Sequence, residues 1–432
     1  MMNRGSQRLG TLVTFSAILL AATWGIQADA QKRLPSVTVR AMSHSYHNAP
    51  VTIAAPAGVP TGYLMLTPNR GQGGTPLRAQ SSHSGGKPTL TFILDDLAKG
   101  ASRTYKLGSV VFVRAPDKQV EVSQRGDDVE ILVDKQLFTR YATKSGPNKP
   151  FFYPIMTPAG THMTRRWPVE PDADQKESHD HPHHRGLWFA HSKMNGIDFW
   201  SEEKNHGNSV TTGFERIESG WVYGSFAALT EWHMPDGKLI ANDRREVRIY
   251  PLPNGDRILD FSVTLTALGG PLTFGDNKDG LFGLRVPDSL ALHADRSSKI
   301  KGEGHIETAS GENDAAAWGK PNNWVDYWGP IEGKTFGVAI FDAAANLRHP
   351  ETWHARDYAL FTVNPFGLHD FGRGDKGAGD YTLDADKSIV FTYRLLFHAG
   401  DTKSAMVAEQ YDNFNDGPTV ILKDSGLTRG SK

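Results

Sequence analysis

Arg257-Ile-Leu-Asp-Phe-Ser-Val-Thr-Leu265 is the stretch that decides the fold. Leu259, Phe261, Val263 and Leu265 alternate with Asp260, Ser262 and Thr264. A period of two is that of a strand with one buried face. The same pattern surrounds it. Val120-Glu-Val-Ser123 and Val129-Glu-Ile-Leu-Val133 read as a hairpin across Gly126-Asp-Asp128, and Leu137–Tyr141 continues it. Further on come Gly220–Ala227, Glu246–Tyr250, Gly280–Val286, Phe336–Phe341, Tyr358–Val363 and Ser388–Phe397. Strand follows strand with almost no helical pattern between them. That favours a large antiparallel β-sandwich over βαβ units. Lys149-Pro-Phe-Phe-Tyr-Pro-Ile155 is apolar but twice interrupted by proline, so an edge strand or a loop lining is expected there.

Four segments follow from this reading. Residues 1–30 carry Arg4 and Arg8, an apolar run from Leu9 to Ala22 and Ala28-Asp-Ala30, the pattern of a signal peptide cleaved before Gln31. The chain is therefore expected to be periplasmic or secreted, and no later run is apolar and long enough to span a membrane. Residues 31–117 hold short strands such as Ser36–Arg40, Tyr63–Thr67 and Pro88–Leu94 between glycine-rich turns, which predicts a small β-sandwich. Residues 118–400 form the large domain. Residues 401–432 supply one helix, Thr402–Tyr411 capped by Asp401, and a frayed tail from Ser425 to Lys432. The fold class is all-β.

The formal charge is -1, and removing Arg4, Arg8 and Asp29 with the leader leaves -2. Such a balance gives no electrostatic case for nucleic acid or an anionic membrane as partner. The chain has no cysteine, so disulfides, thiolate metal ligands and a cysteine nucleophile are excluded.

The chemistry is concentrated in Glu177-Ser-His-Asp-His-Pro-His-His-Arg-Gly-Leu-Trp-Phe-Ala-His191, which holds five of the 17 histidines. Arg185–His191 alternates as a strand, with Leu187, Phe189 and His191 on one face and Trp188 and Ala190 on the other. Pro182 is expected to keep His181 extended. The histidines before the strand would then stand at its mouth, where a scaffold presents functional groups. Imidazole carries protons near neutral pH and ligates divalent metals. Gly196-Ile-Asp-Phe-Trp200 adds an acid and a tryptophan. Gly275-Asp-Asn-Lys-Asp-Gly280 lies between two strands, and its composition is that of a turn before it is that of a site.

Two later stretches repeat this chemistry. Asn322–Gly333 sets Trp324, Tyr327 and Trp328 beside Asp326 and Glu332, either a sugar-binding platform or a packed loop. Arg348–Tyr358 brings His349, Trp353, His354, Arg356 and Asp357, and His369 follows. Clusters of the same residue types, far apart in sequence, point to one shared pocket.

The segments Asp180–Phe189, Gly196–Trp200, Val325–Pro330 and Asn364-Pro-Phe-Gly367 resemble a bacterial family of unknown function whose members are often labelled "methane oxygenase PmoA". A membrane methane monooxygenase subunit needs several membrane spans, which this sequence does not offer, so methane oxidation is not expected. The large domain also resembles the galactose-mutarotase-type supersandwich. That resemblance implies an enzyme acting on sugars through histidine and carboxylate groups.

The leading expectation is a carbohydrate-active epimerase, lyase or hydrolase with a carbohydrate or other small-molecule substrate. His183 and His184 would transfer protons, with Asp357 or Glu332 as the carboxylate. Arg185, Trp188, Trp200, Trp324, Asp326, Trp353, Arg356 and His369 would bind substrate. One alternative is a metal-dependent enzyme, with a divalent ion held by His181, His183, His191 and His354. The other is a carbohydrate-binding protein without turnover.

Overall fold

The structure, a computed structural model, describes residues 34–82, 87–109, 119–144, 146–171, 176–293 and 298–423. The leader expected at 1–30, the boundary expected at 117 and the tail expected from Ser425 lie outside these residues.

The chain from Val120 to Ala399 builds two eight-stranded, antiparallel sheets. Arg257–Ala267 lies in the middle of one of them, paired with Leu239–Pro251 on one side and Ser388–Ala399 on the other. Its alternation works as the sequence predicts: Leu259, Phe261, Val263 and Leu265 are buried, and Asp260, Ser262 and Thr264 are half-buried on the other face. The second sheet runs from Thr352–Arg356 through Leu360–Asn364, Phe282–Arg285, Leu187–Phe189 and Phe151–Ile155 to the hairpin Val120–Arg125/Asp128–Val133. The two inner faces meet in one aromatic core. Phe282 stacks on Phe261 at 4.8 Å and on Tyr393 at 5.0 Å, and Phe361 stacks on Tyr327 at 4.8 Å. Such contacts between sheets are what holds a sandwich closed.

The second sheet is also covered on its outer face. Phe151, Tyr153, Trp188, Ala190, Trp200 and Leu360 form a separate apolar layer there. It supports the functional site.

Three sequence expectations need correction. Phe151–Ile155 is an interior strand, not an edge: it pairs with Gln136–Ala142 and with Leu187–Phe189. Its register slips between Phe152 and Ile155, which leaves room for Pro154, a residue without an N–H to donate. Asn322–Gly333 is not a loop, since Trp324–Ile331 is a strand between His305–Thr308 and Lys334–Asp342. The C-terminal helix spans Val407–Asn415, and Asp401 instead accepts from the Ser404 N–H at 2.8 Å in the turns before it.

In the N-terminal region, seven strands share a single sheet around its own core, which includes Val37, Leu64, Phe92 and Tyr105. One strand comes from the far end of the chain: Thr419–Lys423 pairs antiparallel with Ser36–Arg40. The segment expected as helix and tail thus returns to the N-terminal sheet. Trp221 Nε1 donates to Ala79 O at 2.8 Å, and Gln80 Oε1 accepts from Val222 N at 3.2 Å, tying this sheet to the large domain. Among the described residues no helix is long and apolar enough to cross a membrane.

Candidate active site

The histidine-rich segment reaches the short strand Leu187–Phe189 through a tight turn. His184 N donates to His181 O at 3.0 Å, with Pro182 and His183 at the corners. Proline fits the first corner because its ring fixes φ. His181 itself has φ +45°, in the left-handed region, so Pro182 does not keep it extended. A non-glycine residue there is strained and must be held by its surroundings. Gly186 ends the turn with φ +58°, and a Cβ at that position would lie 2.0 Å from Phe152 O. Only glycine fits.

Two features hold His181. The first is Asp180, whose Oδ2 accepts from His181 Nδ1 at 2.5 Å. Asp180 is itself gripped by two buried guanidinium groups, Arg165 and Arg285, the latter at 3.0 Å. Burial alone would push the Asp180 carboxyl up. The His181 hydrogen bond and the two arginines outweigh it and hold it well below the usual carboxylate range. The second feature is a stack of parallel rings. Tyr358 lies 5.3 Å from His181, His181 lies 4.7 Å from His184, and His184 lies 5.3 Å from Trp188. His181 Nε2 makes no hydrogen bond to a described residue, and His181 lines a cavity of about 380 Å³.

That cavity joins segments far apart in sequence. His181, His183 and His184 come from the turn, Ser192, Asp198, Trp200, Ser201 and Glu203 from the segment after it, Lys278 and Asp279 from the glycine-bounded turn, and His354, Arg356 and Tyr358 from the later cluster. The lining is mostly polar. Asp198 is committed to its own loop, where Oδ1 accepts from the N–H groups of Trp200 at 2.7 Å and Ser201 at 3.0 Å. Asp279 is less committed: among the described residues its carboxylate meets only Lys278 Nζ, at 3.5 Å. Burial pushes the Asp279 carboxyl up, against the pull of Lys278 and with the help of Asp198 and Asp370. Arg356 lies over the Tyr358 ring at 5.0 Å.

Burial drives the other imidazoles the opposite way. His183 is lowered to about 3 by burial, Lys149 and His181. His354 is lowered to about 3 by burial and Arg356, and His184 falls well below the usual histidine value, chiefly through burial. All three hold a proton only weakly, which makes His183 and His184 poor bases for the expected proton transfer. Lys149, buried and lining a different cavity, is brought down to about 7 by burial, although Glu202 opposes this. It donates to Trp200 O at 2.5 Å and Asn148 Oδ1 at 3.0 Å.

Several expected site residues lie elsewhere. Glu332 sits at the turn after Ile331, where it accepts from Thr161 Oγ1 at 3.1 Å. Asp357 lies outside the lining, 3.5 Å from His293 and 3.9 Å from Arg356. Asp326 is wholly buried, bound to His398 Nε2 at 3.0 Å and Thr402 Oγ1 at 2.7 Å. Trp324 packs in the apolar cluster that holds Tyr411 of the C-terminal helix, and Trp353 is buried and donates to Asn322 O. These tryptophans are core anchors, on strands buried on both faces around them. Trp188 supports His184 from below and has no free face. Arg185 is spent on a two-point pair with Glu202, both contacts at 2.8 Å. His369 is exposed, and its N–H is bound to the Asp276 carboxylate.

Of the expected metal ligands, His181, His183 and His354 line the cavity, but His191 does not. His191 is buried apart from the cavity lining, with Nε2 on Gly275 O at 2.8 Å, and His181 Nδ1 is taken by Asp180. Among the described residues no three His, Asp or Glu side chains form a group suited to hold a metal ion.

Asp180, Asp279 and Tyr358 are the functional candidates that sequence reasoning passed over. Asp180 stood inside the quoted motif. Asp279 was read first as a turn residue.

A model of a family of unknown function, DUF6807, matches residues 128–412. No curated protein matches the chain in sequence. Among solved structures, the crystal structure of an alpha-mannosidase from Enterococcus faecalis V583 is similar with a TM-score of 0.37 and 9% identity, over 91% of this chain and 46% of that chain. The chain thus spans less than half the length of that protein.

Proposed function

We propose that this chain, which belongs to the family of unknown function DUF6807, is a carbohydrate-active enzyme in which His181 and Asp279 move protons. The observation that carries the reading is the Asp180–His181 dyad opening onto a cavity that it shares with a carboxyl raised by burial.

With Nδ1–H donated to Asp180, Nε2 is the nitrogen that a neutral His181 leaves as acceptor. That is the tautomer a general base needs. Asp279 holds its proton to higher pH than an exposed aspartate, which suits a general acid. Epimerisation, elimination and hydrolysis each need one of each. The remaining lining fits a sugar. Glu203 and Ser192 offer partners for hydroxyl groups, the half-buried Tyr358 adds aromatic surface, and about 380 Å³ holds a small ligand. Arg356 stands ready for an oxygen-rich substituent. The paired eight-stranded sheets agree with the supersandwich that the sequence resembles, an analogy of fold that supports the reading without carrying it. A leader at 1–30 would place this chemistry in the periplasm or outside the cell.

The test is turnover of a panel of neutral and acidic glycans, read by mass, for the wild type, His181→Gln and Asp279→Asn. Loss in both variants with unchanged circular dichroism supports the assignment. Undiminished turnover in both rejects it.

A further inference from the structure

A second cavity, of about 220 Å³, shares no lining residue with the histidine pocket. Its walls are mainly apolar, with Met156, Met163, Phe336 and Phe397, and they also carry Thr157, Asn254, Asp256 and His398. One strong cation also lines it: Arg257, at the start of the central strand and 3% exposed.

The guanidinium is poorly matched to its surroundings. Nη1 donates to Met156 O at 2.8 Å, and the group lies over the Phe138 ring at 5.0 Å. No carboxylate of a described residue lies within ion-pair distance of it, and Asp134 is the only acid that acts on it from afar. The neighbouring Asp256 does not serve. Its two oxygens are taken by Ala399 N at 3.1 Å and Asn254 Nδ2 at 2.7 Å. His398, also in the lining, is committed through Nε2 to Asp326 at 3.0 Å. Burial lowers Arg257 to about 10, with only the distant Asp134 opposing it. Among the described residues of the large domain, every other deeply buried arginine has an acid partner: Arg165 and Arg285 have Asp180, Arg245 has Asp243, and Arg394 has Asp260.

We infer that this cavity binds a small organic carboxylate with an apolar body, its carboxylate on Arg257 and its body against Met156, Met163, Phe336 and Phe397. A guanidinium presents a planar fork that matches a carboxylate at two points. The low-polarity walls strengthen that pair and exclude a strongly hydrated anion. The volume limits the body to a short chain or a single ring.

The experiment is calorimetric titration of the full chain with benzoate and, separately, with benzyl alcohol as its uncharged counterpart. The inference expects saturable binding of one benzoate per chain, at least about tenfold tighter than benzyl alcohol. It expects loss of that binding in Arg257→Met. Should Arg257→Met fail to fold, Met156→Trp fills the cavity while keeping the guanidinium, and must abolish binding as well. No saturable benzoate binding, equal binding of benzyl alcohol, or binding retained in a folded Arg257→Met or Met156→Trp each overturns it.

Discussion

Replacing Asp180 by asparagine removes the one carboxylate shared by His181 and two buried arginines. Arg165 is 1% and Arg285 0% exposed, so both would stay charged in the interior with diminished compensation. Breaking a buried ion pair in this way costs about 3–5 kcal/mol. The lower end applies here, for two reasons. The Asp180 side chain is 19% exposed, and both arginines keep Ser178 Oγ, at 3.1 and 3.0 Å. The expected loss is therefore about 3 kcal/mol, more than a hundredfold in the folding equilibrium. Urea denaturation at pH 7 measures it. The pH dependence gives a second reading. A carboxyl whose folded pKa is depressed contributes stability that is complete above its unfolded value of about 3.9, and loses it as pH falls from there towards the folded value. The gap between wild type and Asp180→Asn should stay constant from pH 8 to about pH 5 and narrow only under stronger acid. A gap below about 1 kcal/mol at pH 7, or one that closes well above pH 5, would refute the account of this anchor.

Other predictions concern single residues. Asp279→Asn should lower turnover by about 10²–10⁴, the range for a lost acid–base group, with the urea midpoint nearly unchanged. Gly186→Ala should lose more than about 2 kcal/mol by urea denaturation, because φ is +58° and a Cβ would meet Phe152 O at 2.0 Å. Lys149 has a folded pKa of about 7, below its unfolded value, so the unfolded chain binds the extra proton between the two. Stability should therefore rise with pH across that window in the wild type, and this rise should shrink in Lys149→Met.

The fold was legible because several of its long strands follow the period-two rule. Arg257–Leu265 shows it, and Leu187, Phe189 and His191 lie on the face assigned to them, with Trp188 and Ala190 on the other. Trp324 misled for a related reason. Aromatics beside acids can read as a sugar platform, but on a strand whose neighbours lie on both sides the same residues are core. The return of Thr419–Lys423 to the N-terminal sheet was not legible, since pairing over such a distance leaves no local mark. The site was half legible. The meeting of the turn at His181–His184 with His354 and Arg356 followed from shared chemistry. The division of labour did not. Which imidazole keeps a free nitrogen depends on burial and on Asp180, and these come only from the folded arrangement.

The most direct test of the central claim is the rate at which His181→Gln and wild type turn over a glycan panel, measured side by side with Asp279→Asn. The account predicts turnover of at least one glycan by the wild type, and a loss of about a hundredfold or more in each variant with the fold intact. Wild-type inactivity across neutral and acidic glycans, or a product formed equally fast by both variants, would contradict it.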